Sequence, residues 1–327
     1  MFAEDLLREV RRDGFAPPSV ARYLKRVSGR IVRTLSDEPE LVRSVAATSF
    51  LLFAVEFGGA LLLAWAFGRH VAIPYLVWSS VVLLLASIWI LVHIGLGHGT
   101  VRGRLPAAGL PLRRIPVPVA LTLLRLVTVP AIVLLIRERE WVTVVWLFTA
   151  GALTDVLDGF VARALKMESQ IGSVLDPVVD VFFNVCVFAA LAAVRILPWW
   201  VAALMLARYA LLALGTCYLY LFHGPVRIQP TGFGKLTGVL TSVLVGLVML
   251  QHAYWSAAVR GRLLEVFDVG LGVLGVATIL QVLVIGIANK KDLERDIALA
   301  EALSKGEAAD PRVVSGKVVG DVRWPRG

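Results

Sequence analysis

Residues 155–180 read D-V-L-D-G-F-V-A-R-A-L-K-M-E-S-Q-I-G-S-V-L-D-P-V-V-D. Four aspartates, Asp155, Asp158, Asp176 and Asp180, fall within these 26 residues, and apolar runs flank the stretch on both sides. A carboxylate at membrane depth is costly unless it binds a cation or lines a wet cavity. Four of them at regular spacing need a shared reason. At about 100° per residue, Asp155, Asp158, Gly159, Ala162 and Arg163 share one helical arc of roughly 140°. On the following helix Gly172, Asp176 and Asp180 recur four residues apart and so share a face. Two antiparallel helices joined by a short loop can turn these faces together. The result is an all-oxygen pocket suited to Mg²⁺, Mn²⁺ or Ca²⁺. No His lies in the stretch, which argues against zinc. The expectation is that the acids hold divalent metal and that the metal holds a diphosphate.

The small residues have two readings. Gly159 and Ala162 leave a groove in which a base or phosphate can approach the backbone. Equally small residues let two membrane helices touch. With Asp155, Asp158 and Arg163 on the same face, the ligand groove is the stronger reading. Solvated loop charges are the bland alternative for the acids, and their spacing beside long apolar runs opposes it.

The rest of the chain sets the context. Of 327 residues, 58% are hydrophobic and only 17% are charged, against roughly 25% in soluble domains. Mean hydropathy is +0.78. Apolar runs lie near 44–67, 75–96, 118–136, 141–162, 172–194, 199–222, 236–255 and 265–288. These are eight candidate spans of an all-α integral membrane protein. The net charge of +9 is not a nucleic-acid signal, because Lys and Arg lie mostly between the apolar runs. Cys186 and Cys217 sit inside apolar runs and imply neither a disulfide framework nor a thiolate metal site.

Four regions follow. Residues 1–43 are polar and contain a basic amphipathic helix. In it Val20, Leu24, Val27, Ile31 and Leu35 alternate with Arg22, Lys25, Arg26, Arg30 and Arg33. That helix could lie on an anionic membrane face or pack on its own protein. Residues 44–100 read as a two-helix transmembrane hairpin, turned around Arg69, His70 and Pro74. Mid-span Glu56 reads as a structurally paired acid outside the site. A Gly/Pro/Arg-rich linker leads to a core at 112–290 with six spans, and 291–327 form a charged tail. Positive-inside counting places 1–43, 97–117, 163–171, 223–235 and 289–327 in the cytoplasm. Both termini and the acid cluster are then cytoplasmic, in a cell inner membrane.

The spacing D-x2-D-G-x2-A-R-x8-G-x3-D-x3-D resembles the signature of the CDP-alcohol phosphotransferase (CDP-alcohol phosphatidyltransferase) family at every fixed position. The resemblance implies a six-transmembrane-helix phosphotransferase core, here with the N-terminal two-helix extension outside it. It implies transfer of a substituted phosphate from a CDP-linked donor such as CDP-diacylglycerol to an alcohol, with release of CMP. Asp155, Asp158, Asp176 and Asp180 would ligate Mg²⁺ or Mn²⁺, and Asp180 would also be the catalytic base. Asp158, Gly159, Ala162, Arg163, Gly172 and Thr122 would line the CDP moiety. Homodimers are common in that family, and nothing in the spacing tests one here.

The segment A-L-T-L-L-R, with Thr122 and Arg125, resembles the opening helix of phosphatidylglycerophosphate synthase-like members, as does L-D-P at Leu175–Pro177. The chain departs from that branch at Val181, where a Lys is usual, and at Tyr209, where an acid is common. Arg208 lies in an apolar run, and Pro230–Gly238 resembles a family element that opens a span with Lys235. With Arg227, these cations would hold an acceptor phosphate. Glycerol 3-phosphate is the favoured acceptor, with inositol phosphate or a second lipid such as phosphatidylglycerol as alternatives. The competing class is a non-enzymatic divalent-cation-binding protein or transporter. Transport wants polar residues through to the far side, and these spans are apolar beyond the cluster.

Overall fold

The computed structural model describes residues 10, 12–14, 16–96, 114–164, 170–222, 232–255 and 265–287. Among them the long helices are α1 (Pro17–Asp37), α2 (Pro39–Phe67), α3 (Arg69–Leu96), α4 (Val117–Arg137) and α5 (Trp141–Ala164). They continue as α6 (Gln170–Ala193), α7 (Trp199–Phe222), α8 (Gly232–Tyr254) and α9 (Glu265–Ile287). Seven of these, α2–α4 and α6–α9, are long and apolar enough to cross a membrane. The eighth expected span is α5, a 24-residue helix whose apolar stretch covers Trp141–Asp155 among the described residues.

Proline and glycine set several boundaries. Pro17 and Pro39 open α1 and α2, where a missing N–H costs no intrahelical bond. Gly68 alone separates α2 from α3. It adopts φ +92°, a conformation glycine reaches without strain. The turn expected around Arg69, His70 and Pro74 is therefore one residue wide, and those three residues belong to α3. Pro74 is tolerated because it lies near the helix start and removes a single ladder bond. At the far end of the bundle, Arg139 (φ 61°) and Arg195 (φ 59°) make the tight turns after α4 and α6.

Helix α4 is the axis. In its most apolar window 67% of residues are buried, against 17 to 33% in the other six spans. It packs on α3, α5 and α6, while α7 packs on α6 and α8 on α5. A helix enclosed on all sides must be apolar all round, and α4 is, apart from Thr122, Arg125, Thr128 and the terminal Arg137. Two apolar clusters divide the interior. At the far end Ile132, Leu135 and Ile136 of α4 meet Phe183, Val187 and Leu191 of α6 and Met205 of α7. At the motif end Leu41, Val45, Ile90 and Ile94 of the hairpin meet Val119 and Leu123 of α4 and Ile171, Leu175 and Val179 of α6. The hairpin is thus built into the same core as the motif. The Ile115 backbone N–H adds a tie by donating to Ser44 Oγ at 2.9 Å.

Helix α1 packs on α3. A Cβ placed on Gly95 of α3 would lie 2.8 Å from the Ile31 Cα, so only glycine allows this approach. Its outer face keeps Arg22, Lys25, Arg26 and Arg33 exposed.

Candidate active site

The motif is placed by two helices and completed by a third. On α6, Ile171, Leu175 and Val179 are buried against α4. That face fixes the rotation of α6 and turns the adjacent row, Gly172, Asp176 and Asp180, toward α4 and α5. Thr122 Oγ1 donates to Asp176 Oδ1 at 2.9 Å and lies 3.0 Å from the Pro118 carbonyl. One turn further along α4, Arg125 Nη1 donates to Asp155 Oδ1 of α5 and forms an ion pair with Asp180 Oδ1 of α6, 3.0 Å away. Three of the four predicted acids therefore converge on two side chains of the central helix.

Burial gives this site a direction. Arg125 is 5% exposed, whereas the Asp155 and Asp180 side chains are 46% and 48% exposed. The guanidinium forms the floor and the carboxylates form the rim. Beneath them Phe148 and Phe183 pack with ring centroids 5.6 Å apart, and Phe183 lies against Gly151. The Asn184 amide donates to the Asp180 carbonyl at 2.8 Å, a contact within α6.

The remaining predicted residues differ in how far they are placed. Gly159 is half-buried on α5, and Gly172 is buried on α6. Asp158, Ala162 and Arg163 lie on α5, but their side chains fall outside the described ones. Lys235 lies in the first turn of α8 with its side chain likewise outside, and Arg227 is outside the described residues. Arg208 of α7 lies over the Tyr209 ring at 5.2 Å, with Nη1 buried and unpartnered. Tyr209 is within electrostatic reach of both Arg208 and Asp180, so α7 borders the site. Glu56 is fully buried in the hairpin and accepts a hydrogen bond from Ser80 Oγ at 3.1 Å, apart from the acid cluster.

Arg125 is the residue to which the sequence reading gave no role. A signal was present: an arginine among leucines in an apolar span, three residues after Thr122. What it pairs with depends on three helices meeting, which spacing within one helix does not express.

The donor chemistry fits a hard divalent cation, since the converging groups are carboxylates from two helices. Among the described residues no three acidic, thiol or imidazole groups lie together at ligand spacing. Arg125 supplies the positive charge between Asp155 and Asp180.

The fold and site define a class: a polytopic, all-α membrane protein with an acid cluster at one end of its central helix. Within that class, the chain belongs to the CDP-alcohol phosphatidyltransferase family, whose sequence model matches residues 115–286. The match starts just ahead of α4 and ends one residue before the end of α9. A Mycobacterium tuberculosis protein assigned as a cardiolipin synthase is 35% identical over 126 residues, which are 38% of this chain and 59% of that one. A second protein of that organism, assigned as a phosphatidylglycerophosphate synthase, is 33% identical over 137 residues (40% of this chain, 64% of that one). The Aquifex aeolicus CDP-diacylglycerol–glycerol-3-phosphate 3-phosphatidyltransferase is 30% identical over 141 residues (42% of this chain, 78% of that one). The chain thus spans about three-fifths of the length of the first of these relatives.

Proposed function

We propose that this protein transfers the phosphatidyl group of CDP-diacylglycerol to a small phosphorylated alcohol, glycerol 3-phosphate being favoured, and releases CMP. The observation that carries the reading is the convergence of Asp155, Asp176 and Asp180 on Thr122 and Arg125. The names of the relatives support the donor and the reaction class.

Asp155, Asp158, Asp176 and Asp180 would hold Mg²⁺ or Mn²⁺. A bound divalent cation supplies neutralisation of the diphosphate and polarisation of the phosphorus under attack. Asp180 accepts the proton of the acceptor hydroxyl, whose oxygen forms the new bond to the phosphatidyl phosphorus. The bond from that phosphorus to CMP breaks in the same displacement. Gly159, Ala162, Arg163, Gly172 and Thr122 line the CDP moiety. Arg208, Lys235 and Arg227 hold the acceptor phosphate, placing the acceptor on the α7–α8 side of the acids. The site and both termini face the cytoplasm, where the soluble acceptor is found, and half-exposed carboxylates at a helix end suit that supply.

A second acceptor has its own support. The 35% identical relative is assigned as a cardiolipin synthase, and Val181 and Tyr209 depart from the glycerophosphate branch. Under that reading phosphatidylglycerol takes the acceptor position. Purified protein given CDP-diacylglycerol, Mn²⁺ and each acceptor separately distinguishes the two by product mass. Phosphatidylglycerophosphate is the expected product. Cardiolipin alone would move the acceptor to the lipid, and no phospholipid product from any acceptor would sink the enzyme reading.

A further inference from the structure

Helix α1 carries more than its contact with α3 uses. At about 100° per residue, Val20, Tyr23, Val27 and Ile31 share an arc of about 80°. All four are half-buried, and Ile31 lies against Gly95 of α3. The next arc holds Ala21, Leu24, Ser28 and Val32. It is largely apolar yet uncovered, with Leu24 59% and Val32 64% exposed. Its one hydroxyl, Ser28 Oγ, donates back to the Lys25 carbonyl at 3.1 Å. A third arc holds Arg22, Lys25, Arg26, Gly29 and Arg33, all exposed. The helix thus has a strip against protein, an apolar strip with no protein over it, and a basic strip beyond. Over 17–37 it carries five basic residues against the single acid Asp37, and Asp13 pairs with Arg22 at 3.3 Å. Its height on the bundle is fixed by α3. That helix has 28 residues, so it is about 42 Å long against a hydrocarbon core of about 30 Å. Gly95, where α1 seats, lies in its last turn, and at the same end α2 opens with Glu40 and an exposed Arg43. Helix α1 therefore lies at headgroup level.

We propose that α1 is an interfacial helix: its Leu24–Val32 strip enters the lipid, and its basic strip holds the headgroups of anionic phospholipids. Two exposed branched side chains gain by leaving water for acyl chain. Lys and Arg stems reach past them to phosphate while keeping the charge at the surface. Charge chooses the occupant. An anionic leaflet attracts each cation near it, whereas a second copy of this chain would bring five more cations to the same strip. The contact with α3 holds the helix at one rotation, so the apolar strip cannot turn inward to escape water.

The test uses the full-length protein in phosphatidylcholine vesicles, with Cys186 and Cys217 replaced by alanine and one fluorophore on Leu24→Cys or on Gly29→Cys. Leu24 is exposed, and a Cβ on Gly29 meets nothing within 4 Å, so both positions have room for the label. A trace of phosphatidylglycerol or of phosphatidylcholine, each spin-labelled on its acyl chain, serves as quencher. The expected result is quenching at Leu24 and little at Gly29, with phosphatidylglycerol the stronger quencher at equal amount. Each cation near the surface contributes about a fivefold preference for anionic lipid. The double variant Lys25→Gln, Arg33→Gln should therefore weaken that preference about 25-fold. If the double variant does not fold, the labelled protein with both cations intact decides: salt should bring the two quenchers to parity, and a preference that survives high salt overturns the proposal. No quenching at Leu24 overturns it as well, and blue-shifted emission there would assign the strip to a second copy of the chain. Equal quenching by the two lipids at low salt overturns the anionic preference, and equal quenching at Leu24 and Gly29 overturns the assignment of strips.

Discussion

Asp176 and Asp180 are one helical turn apart on α6 yet meet different chemistry. Asp176 accepts a neutral hydrogen bond from Thr122, while Asp180 faces a buried guanidinium. This difference assigns them different sensitivities. Asp180→Asn removes the proposed base and should lower kcat for CMP release by about 10²- to 10⁴-fold with a small change in KM. Full turnover by that variant would show that another group takes the proton. Thr122→Val keeps the side-chain shape and deletes one hydrogen bond, a loss of about 1 kcal/mol. Its activity should fall roughly tenfold or less, with Mn²⁺ affinity following the same trend. The pairing of Arg125 with Asp155 and Asp180 joins a buried guanidinium to half-exposed carboxylates, so its loss would leave a buried charge uncompensated. At this scale the sequence was informative about the acids, because i, i+3 and i, i+4 spacing is a property of one helix. It did not reveal the partners of Arg125, which come from two other helices.

Among the elements, α4 decides most of the geometry and the short connections decide the rest. Gly95 on α3 is where α1 seats. Gly95→Ala would put a methyl group against the Ile31 backbone, and a helix backbone cannot give way as a flexible side chain can. The expected outcome is detachment of α1, seen as faster proteolysis within 17–37 while the acid site keeps its Mn²⁺ affinity. Arg195 holds a left-handed conformation at the α6–α7 turn. Arg195→Gly should raise thermal stability by about 1 kcal/mol, since glycine reaches that conformation without the Cβ clash. Unchanged or lower stability would mean that the arginine side chain offsets the strain. The hairpin's existence was legible from hydropathy, but its turn was not. Pro74 looks like a breaker in sequence, yet near a helix start it costs little, and the chain turns on Gly68 instead. The docking of α1 was equally hidden, because a basic amphipathic pattern suits a lipid surface and a protein surface alike.

For the whole molecule, the family match covers 115–286 and leaves α1–α3 outside it. Packing does not respect that boundary. Leu41, Val45, Ile90 and Ile94 share one apolar cluster with Leu123, Ile171 and Leu175, directly behind the acids. A chain beginning at Ala107 should therefore lose yield of monodisperse protein and acid-site function together, read by size-exclusion chromatography and CMP release. A stable, fully active truncation would mark the hairpin as accessory. Bundle architecture was legible in outline because membrane helices announce themselves by length and hydropathy. Which helix lies at the centre was not, since every span is similarly apolar, and only packing shows that α4 is buried on all sides. The most direct test of the account is CMP release from CDP-diacylglycerol by the purified protein, with glycerol 3-phosphate and with or without divalent cation. The predicted result is release that requires Mg²⁺ or Mn²⁺, stops with chelator and is lost in Asp176→Asn. Release that persists in chelator, or no release with glycerol 3-phosphate, inositol phosphate or phosphatidylglycerol, would contradict it.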